Sequence, residues 1–123
     1  LAKPGAQYKF VFFHIPPAYF EDAAIGDDDP RGFTWKADAF RALLTRPKVN
    51  EVFMGHIHGY TSTVIDGVRY TLSAGAGAPL SERLPEASRI YHLLVVRVSP
   101  EGLSQELVHL VPGSLEWARK TVY

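Results

Sequence analysis

The chain contains no cysteine in its 123 residues, which excludes disulfide staples, thiolate zinc sites and cysteine nucleophiles. Neither sign of charge is in excess. Thirteen Lys+Arg stand against thirteen Asp+Glu, so a broad basic surface is not expected and nucleic acid is not indicated as a partner. No apolar run approaches the roughly 20 residues that a membrane-crossing helix needs. The chain also lacks an initiating Met and a recognisable signal peptide, which reads as processing or as a piece of something longer. The absence of cysteine does not choose a compartment. What is present is 46% hydrophobic and 21% charged residues, the balance of a globular chain of one domain.

Two short apolar runs organise the first half. Tyr8 to Phe13 is aromatic and β-branched and lies between Pro4-Gly5 and Pro16-Pro17, which reads as a buried, central strand that delivers His14 into a loop. Ala18 to Gly32 reads as loop, with Asp27-Asp28-Asp29-Pro30 as its strongest turn signal. A helix is expected from a Thr34 cap to about Thr45, with Ala37, Phe40, Leu43 and Leu44 on one face, before Pro47 stops it. Glu51 to Met54 is a second strand, followed by Gly55-His56. Strand, helix, strand makes a right-handed βαβ unit with parallel strands. Both histidine-bearing loops then leave the carboxyl edge of one sheet, where open α/β sheets bind ligands. Downstream, Asp66-Gly67 and Pro100-Glu101-Gly102 each join two strand patterns as hairpins. Ala74 to Ser88 reads as loop, and Ser114 to Lys120 as a final helical turn.

Gly55-His56-Ile57-His58 places two imidazoles one residue apart at a strand end. Neutral imidazole is a common ligand of zinc, iron and manganese-type ions, and the same tetrapeptide also suits an ordinary polar loop. His14, brought to the same edge by the βαβ geometry, favours a metal site. His92 and His109 lie inside strand patterns and read as core or edge residues. Asp27, Asp28 and Asp29 read as a solvated loop, Gly75-Ala76-Gly77 as a turn, and Trp35 and Trp117 as packing anchors.

Strand-His14-x-Pro16, a helix, and strand-Gly55-His56-Ile57-His58 together resemble the last two sequence blocks of the calcineurin-like metallophosphoesterase superfamily. The resemblance runs roughly from Phe10 to Gly77. It implies an α/β fold in which residues 1–123 form the C-terminal half of a two-sheet α/β/β/α sandwich, a portion of a single domain. It implies two divalent or trivalent transition-metal ions (Mn, Fe or Zn), with His14 and His56 on the second metal and His58 on the first. The implied activity is hydrolysis of a phosphomonoester or phosphodiester by a metal-bound hydroxide. Arg31 and Tyr19 are the candidate substrate-binding residues, in a loop that with Phe20 would cover the pocket.

The upstream D-x-H, G-D-x-x-D and G-N-H blocks of that family have no match. Gly26-Asp27-Asp28-Asp29-Pro30 carries Pro30 where the second block needs Asp, and Asn50, the sole Asn, is flanked by Val49 and Glu51. The expected partners are therefore a phosphate-ester substrate and either the N-terminal half of the same domain or a swapped copy, with Leu1-Ala2-Lys3 closing a preceding helix. The alternatives are a non-catalytic binding domain that keeps the fold and a residual metal site, and a self-contained three-histidine enzyme.

Overall fold

A computed structural model describes residues 5–123; the expectation for Leu1-Ala2-Lys3 lies outside the described residues. Four strands form one sheet in the order β1-β2-β4-β3: β1 (Phe10–Phe12), β2 (Glu51–Met54), β3 (Tyr60–Ile65) and β4 (Val68–Ser73). β1, β2 and β4 are parallel, and β3 returns antiparallel to β4 through Asp66-Gly67. Helices α1 (Ala18–Ile25) and α2 (Ala37–Thr45) make the crossover from β1 to β2. A second, three-stranded antiparallel sheet follows: β5 (His92–Ser99), β6 (Gly102–Leu110) and β7 (Trp117–Thr121). The described residues thus form a mixed α/β fold with two sheets and two α-helices.

Strand alternation decides which side chains face which layer. Val52 and Met54 of β2 register with Tyr70 and Leu72 of β4. These four meet Phe20 of α1 and Leu44 of α2 in the buried core on the helix side. The intervening residues, Glu51 and Phe53 with Arg69, Thr71 and Ser73, face the second sheet, which presents His92, Leu94, Val96 and Val98 from β5 and Gln105 from β6.

Several expectations need correction. The first strand is neither buried nor central: β1 is an edge strand paired with β2 alone, and Phe12 is 72% exposed. Residues 18–25 are helical rather than loop. Pro17 precedes the first turn, and Gly26 closes the last in the left-handed region at φ 67°, its N–H donating to the Asp22 carbonyl, a proline-before, glycine-after pattern that suits helix ends. Phe20 is fully buried in the core and does not cover a pocket. The second helix starts from Lys36 in the left-handed region without a side-chain cap, so Thr34 does not cap it, and Leu43 faces solvent. The final segment is strand β7 rather than a helical turn. Gly113, at φ 75°, turns the chain back, and the Val111 N–H donates to the Glu116 carbonyl, which lays residues 117–121 along the free edge of β6. Trp35 is 77% exposed and Trp117 is also exposed, so neither anchors the core.

The two sheets part along one side. A groove of about 450 Å³ opens there, lined by Phe10, Phe12, Phe53, Leu94, Val96 and Val98. Among the described residues, the strands nearest to it, β1 and β5, each have one partner only. Unpaired strand edges beside exposed apolar side chains are a pairing surface.

Candidate functional site at the carboxyl edge of the sheet

His14 follows β1 directly, and the ladder continues past the strand ends. Phe13 N–H donates to the Phe53 carbonyl at 3.1 Å and Gly55 N–H to the His14 carbonyl at 3.0 Å. The His14 imidazole therefore lies against Gly55, where a Cβ would stand 3.1 Å from His14 Nδ1. The His14 and His56 rings meet edge to face with centroids 5.3 Å apart. His56 occupies the left-handed region at φ 73°, unusual for a residue with a Cβ and characteristic of places where surroundings impose a conformation. Ile57 is buried in the helix-side core and fixes the loop between the two histidines.

His58 is oriented differently. Its Nδ1 lies 2.9 Å from the Pro79 carbonyl. A carbonyl only accepts, so Nδ1 carries a proton and, in the neutral ring, Nε2 has the lone pair. Its own carbonyl accepts from the Ser81 N–H at 2.9 Å. Gly59 allows the 79–89 segment to close over this point: at φ 150°, it has Leu84 Cδ1 and the Ser88 carbonyl where a side chain would begin.

Among the described residues, no group of three or more His, Asp or Glu side chains gathers closely enough to hold a metal ion. His14 and His56 form a pair, and His58 is committed to Pro79. Three imidazoles without a carboxylate do not fit a two-metal centre, in which each ion needs at least about four donors. His14 and His56 together offer two imidazole donors of the kind divalent transition metals accept.

The remaining candidates lie elsewhere. The Tyr19 hydroxyl is 3.0 Å from the Tyr70 hydroxyl, and the Arg41 guanidinium sits over the Tyr19 ring; burial pushes its phenol well above the ordinary value. Arg31 lines a cleft of about 360 Å³ with Asp27, Asp28, Asp29 and Arg83, and its backbone N–H donates to Glu21. The aspartates are therefore only partly a solvated loop. Asp27 accepts from Arg83 Nη2 at 2.5 Å, and this contact holds its carboxyl below the usual range. Glu21, fully buried on α1, accepts from the same nitrogen at 2.7 Å. Sequence reasoning missed Glu21, Pro79 and Arg83. A buried carboxylate and an arginine 62 positions apart leave no local periodic signal.

No family model and no curated protein matches the sequence. Among solved structures, the chain is similar to wild-type Vps29 complexed with Zn²⁺ from Entamoeba histolytica. The identity is 17% and the TM-score 0.47, over 69% of this chain and 46% of that one. A double mutant of Vps29 from the same organism gives 17% and 0.47, over 70% and 47%. The chain thus spans a little under half the length of these structures.

The layer between the sheets carries a polar joint that also escaped the sequence reading. Glu51 is buried. Its Oε1 accepts from Thr71 Oγ1 at 2.5 Å, and its Oε2 accepts from Gln105 Nε2. His92 Nδ1 donates to the Ile90 carbonyl at 3.0 Å, so its Nε2 accepts from the Ser73 hydroxyl at 2.9 Å. Gly75 is required here, because a Cβ would overlap His92 Nδ1 and the Ile90 carbonyl.

Burial raises the Glu51 carboxyl against the opposing hydrogen bonds, and burial lowers the His92 imidazole. The folded chain therefore keeps the Glu51 proton to higher pH than the unfolded chain. That contribution to stability is complete below the ordinary carboxylate value and is lost as pH rises through the folded-state value, by at most about 1.4 kcal/mol per pH unit. His92 acts oppositely: its contribution is present above the ordinary imidazole value of 6.5 and is lost as pH falls through the lowered one. Glu51→Gln, with the Gln105 amide turned to match, is expected to flatten the loss of stability with rising pH. Urea unfolding of the full-length protein across that range checks it, and an unchanged slope would show that Glu51 ionises in the fold without penalty.

Proposed function

We propose that the chain is a module of the calcineurin-like metallophosphoesterase type whose sheet edge binds a divalent transition-metal cation through His14 and His56. By itself it is a binding unit rather than a hydrolase. The observation that supports this reading is the His14–His56 pair, 5.3 Å between rings, with His56 held in the left-handed region. Among the described residues no carboxylate joins this pair, which argues against hydrolysis by this chain alone.

A second reading has its own support. His58 presents a ligand-ready Nε2 outside the pair, as the second ligand group of a two-metal phosphoesterase requires. Hydrolysis of a phosphomonoester or phosphodiester then belongs to an assembly in which another polypeptide brings carboxylates to this edge. The partner in that assembly is the polypeptide that completes the open sheets along β1 and β5, the remainder of the domain or a swapped copy.

Titration calorimetry with Mn²⁺ or Zn²⁺ on the full-length protein tests the cation site. His56→Ala should weaken binding at least tenfold, since even outer-shell changes at metal sites cost that much. His92→Ala should leave the affinity intact and lower only stability. Equal losses from both substitutions would remove the assignment. Turnover of an aryl phosphate by this chain alone would overturn the binding-unit reading.

A further inference from the structure

Loop 79–84 is fastened at both ends. At one end, Pro79 accepts from His58 Nδ1 and the Ser81 N–H donates to the His58 carbonyl. At the other, Arg83 reaches the end of α1: Nη2 donates to Glu21 Oε2 at 2.7 Å and to Asp27 Oδ2 at 2.5 Å, and Nε donates to Asp27 Oδ2 at 3.1 Å. Between them, the Arg83 N–H reaches Ser81 Oγ and the Leu84 N–H the Ser81 carbonyl. Glu21 is fully buried and accepts from the Arg31 N–H as well, so the anchor is rigid.

We propose that Arg83 is a positioning residue for His58: by clamping loop 79–84 to Glu21 and Asp27, it keeps the Pro79 carbonyl on His58 Nδ1 and leaves Nε2 as the open nitrogen of the neutral ring. A carbonyl behind an imidazole fixes the tautomer and the ring plane of a metal-binding histidine. The guanidinium suits the task because its planar fork reaches two carboxylates at once, which an ammonium group would not reproduce. The relevance of this clamp to chemistry rests on the second reading above, in which His58 serves a completed two-metal assembly; the clamp itself does not.

Nitrogen NMR of histidine-labelled full-length protein reads the tautomer directly, without metal and above the imidazole titration range. In the wild type, His58, assigned with His58→Asn, should show a protonated Nδ1 and a lone-pair Nε2. Arg83→Gln should move both signals toward the averaged values of a free ring. Arg41→Gln breaks a different ion pair, with Asp66, and should leave the His58 signals in place. Asp27→Asn removes part of the clamp while Glu21 remains, and should give a smaller shift in the same direction even where Arg83→Gln fails to fold. Unchanged His58 signals in Asp27→Asn and Arg83→Gln would overturn the clamp, as would equal shifts in Arg41→Gln. A shifted tautomer in a protein that binds no Zn²⁺ would keep the clamp and remove the cation reading.

Discussion

Arg83→Met in the full-length protein should cost about 3 kcal/mol of stability in urea unfolding, the largest effect expected of any single charged residue outside the histidine edge. Glu21 is fully buried, one of its oxygens has no hydrogen-bond partner, and without Arg83 the other keeps only the Arg31 N–H. Breaking a buried pair costs about 3–5 kcal/mol because the surviving charge is stranded. The lower end applies because the Arg83 side chain is 26% exposed and part of the pair is hydrated. Replacing both partners gives the opposite outcome. Arg83→Met with Glu21→Leu should recover most of the loss, since no buried charge then remains and Asp27 can turn to water. A loss below about 1 kcal/mol in the single variant would show that Glu21 is solvated or protonated once its partner leaves.

On its own, the 123-residue chain should associate with itself instead of remaining a monomer. Among the described residues, β1 and β5 each leave one row of N–H and C=O groups unpaired, and the groove between them exposes Phe12 and Val98. Both drives, backbone pairing and apolar burial, act at the same opening. Light scattering should report masses well above one chain, rising with concentration. Phe12→Lys with Val98→Lys should restore the mass of one chain, because two charges at the groove mouth oppose stacking and edge pairing. A wild-type chain that is monomeric at high concentration would show that the groove needs no cover.

The first βαβ unit was legible because its signals are local: apolar runs, a proline stop, and Asp66-Gly67 between alternating strands. Strand β2 falls on the residues expected, and the meeting of His14 with His56 follows from the parallel pairing of β1 with β2. Helix α1 was hidden because Asp, Gly and Pro downstream dominate the composition of residues 18–32, although Pro17 and Gly26 mark its ends. β7 was hidden because its pairing partner is β6 rather than anything in its own pattern; Trp117, Arg119 and Lys120 are tolerable on a helix or on an exposed strand. The edge position of β1 follows from the expectation of half a sandwich, which leaves Phe10 to Phe13 an unpaired edge and exposed apolar faces; its own apolar pattern looks the same with one neighbour or two. At the site, residue types were readable but ring orientation was not, because the Pro79 carbonyl that turns His58 arrives from 21 positions away.

Glu51 and Gln105 meet across the two sheets from positions 54 apart in the chain, and Ser73 meets His92 beside them. Apolar layers can slide over one another with little change in contact energy, whereas buried Glu51 meets Gln105, and Ser73 meets His92, at one relative offset of the sheets only. The joint therefore acts as an alignment key: it adds little net strength, yet it penalises every sheet packing displaced by one strand pleat. The relative placement of the two sheets is thus decided by a few polar atoms, and a chain with Leu at position 51 would be expected to pack tightly while losing its unique alignment.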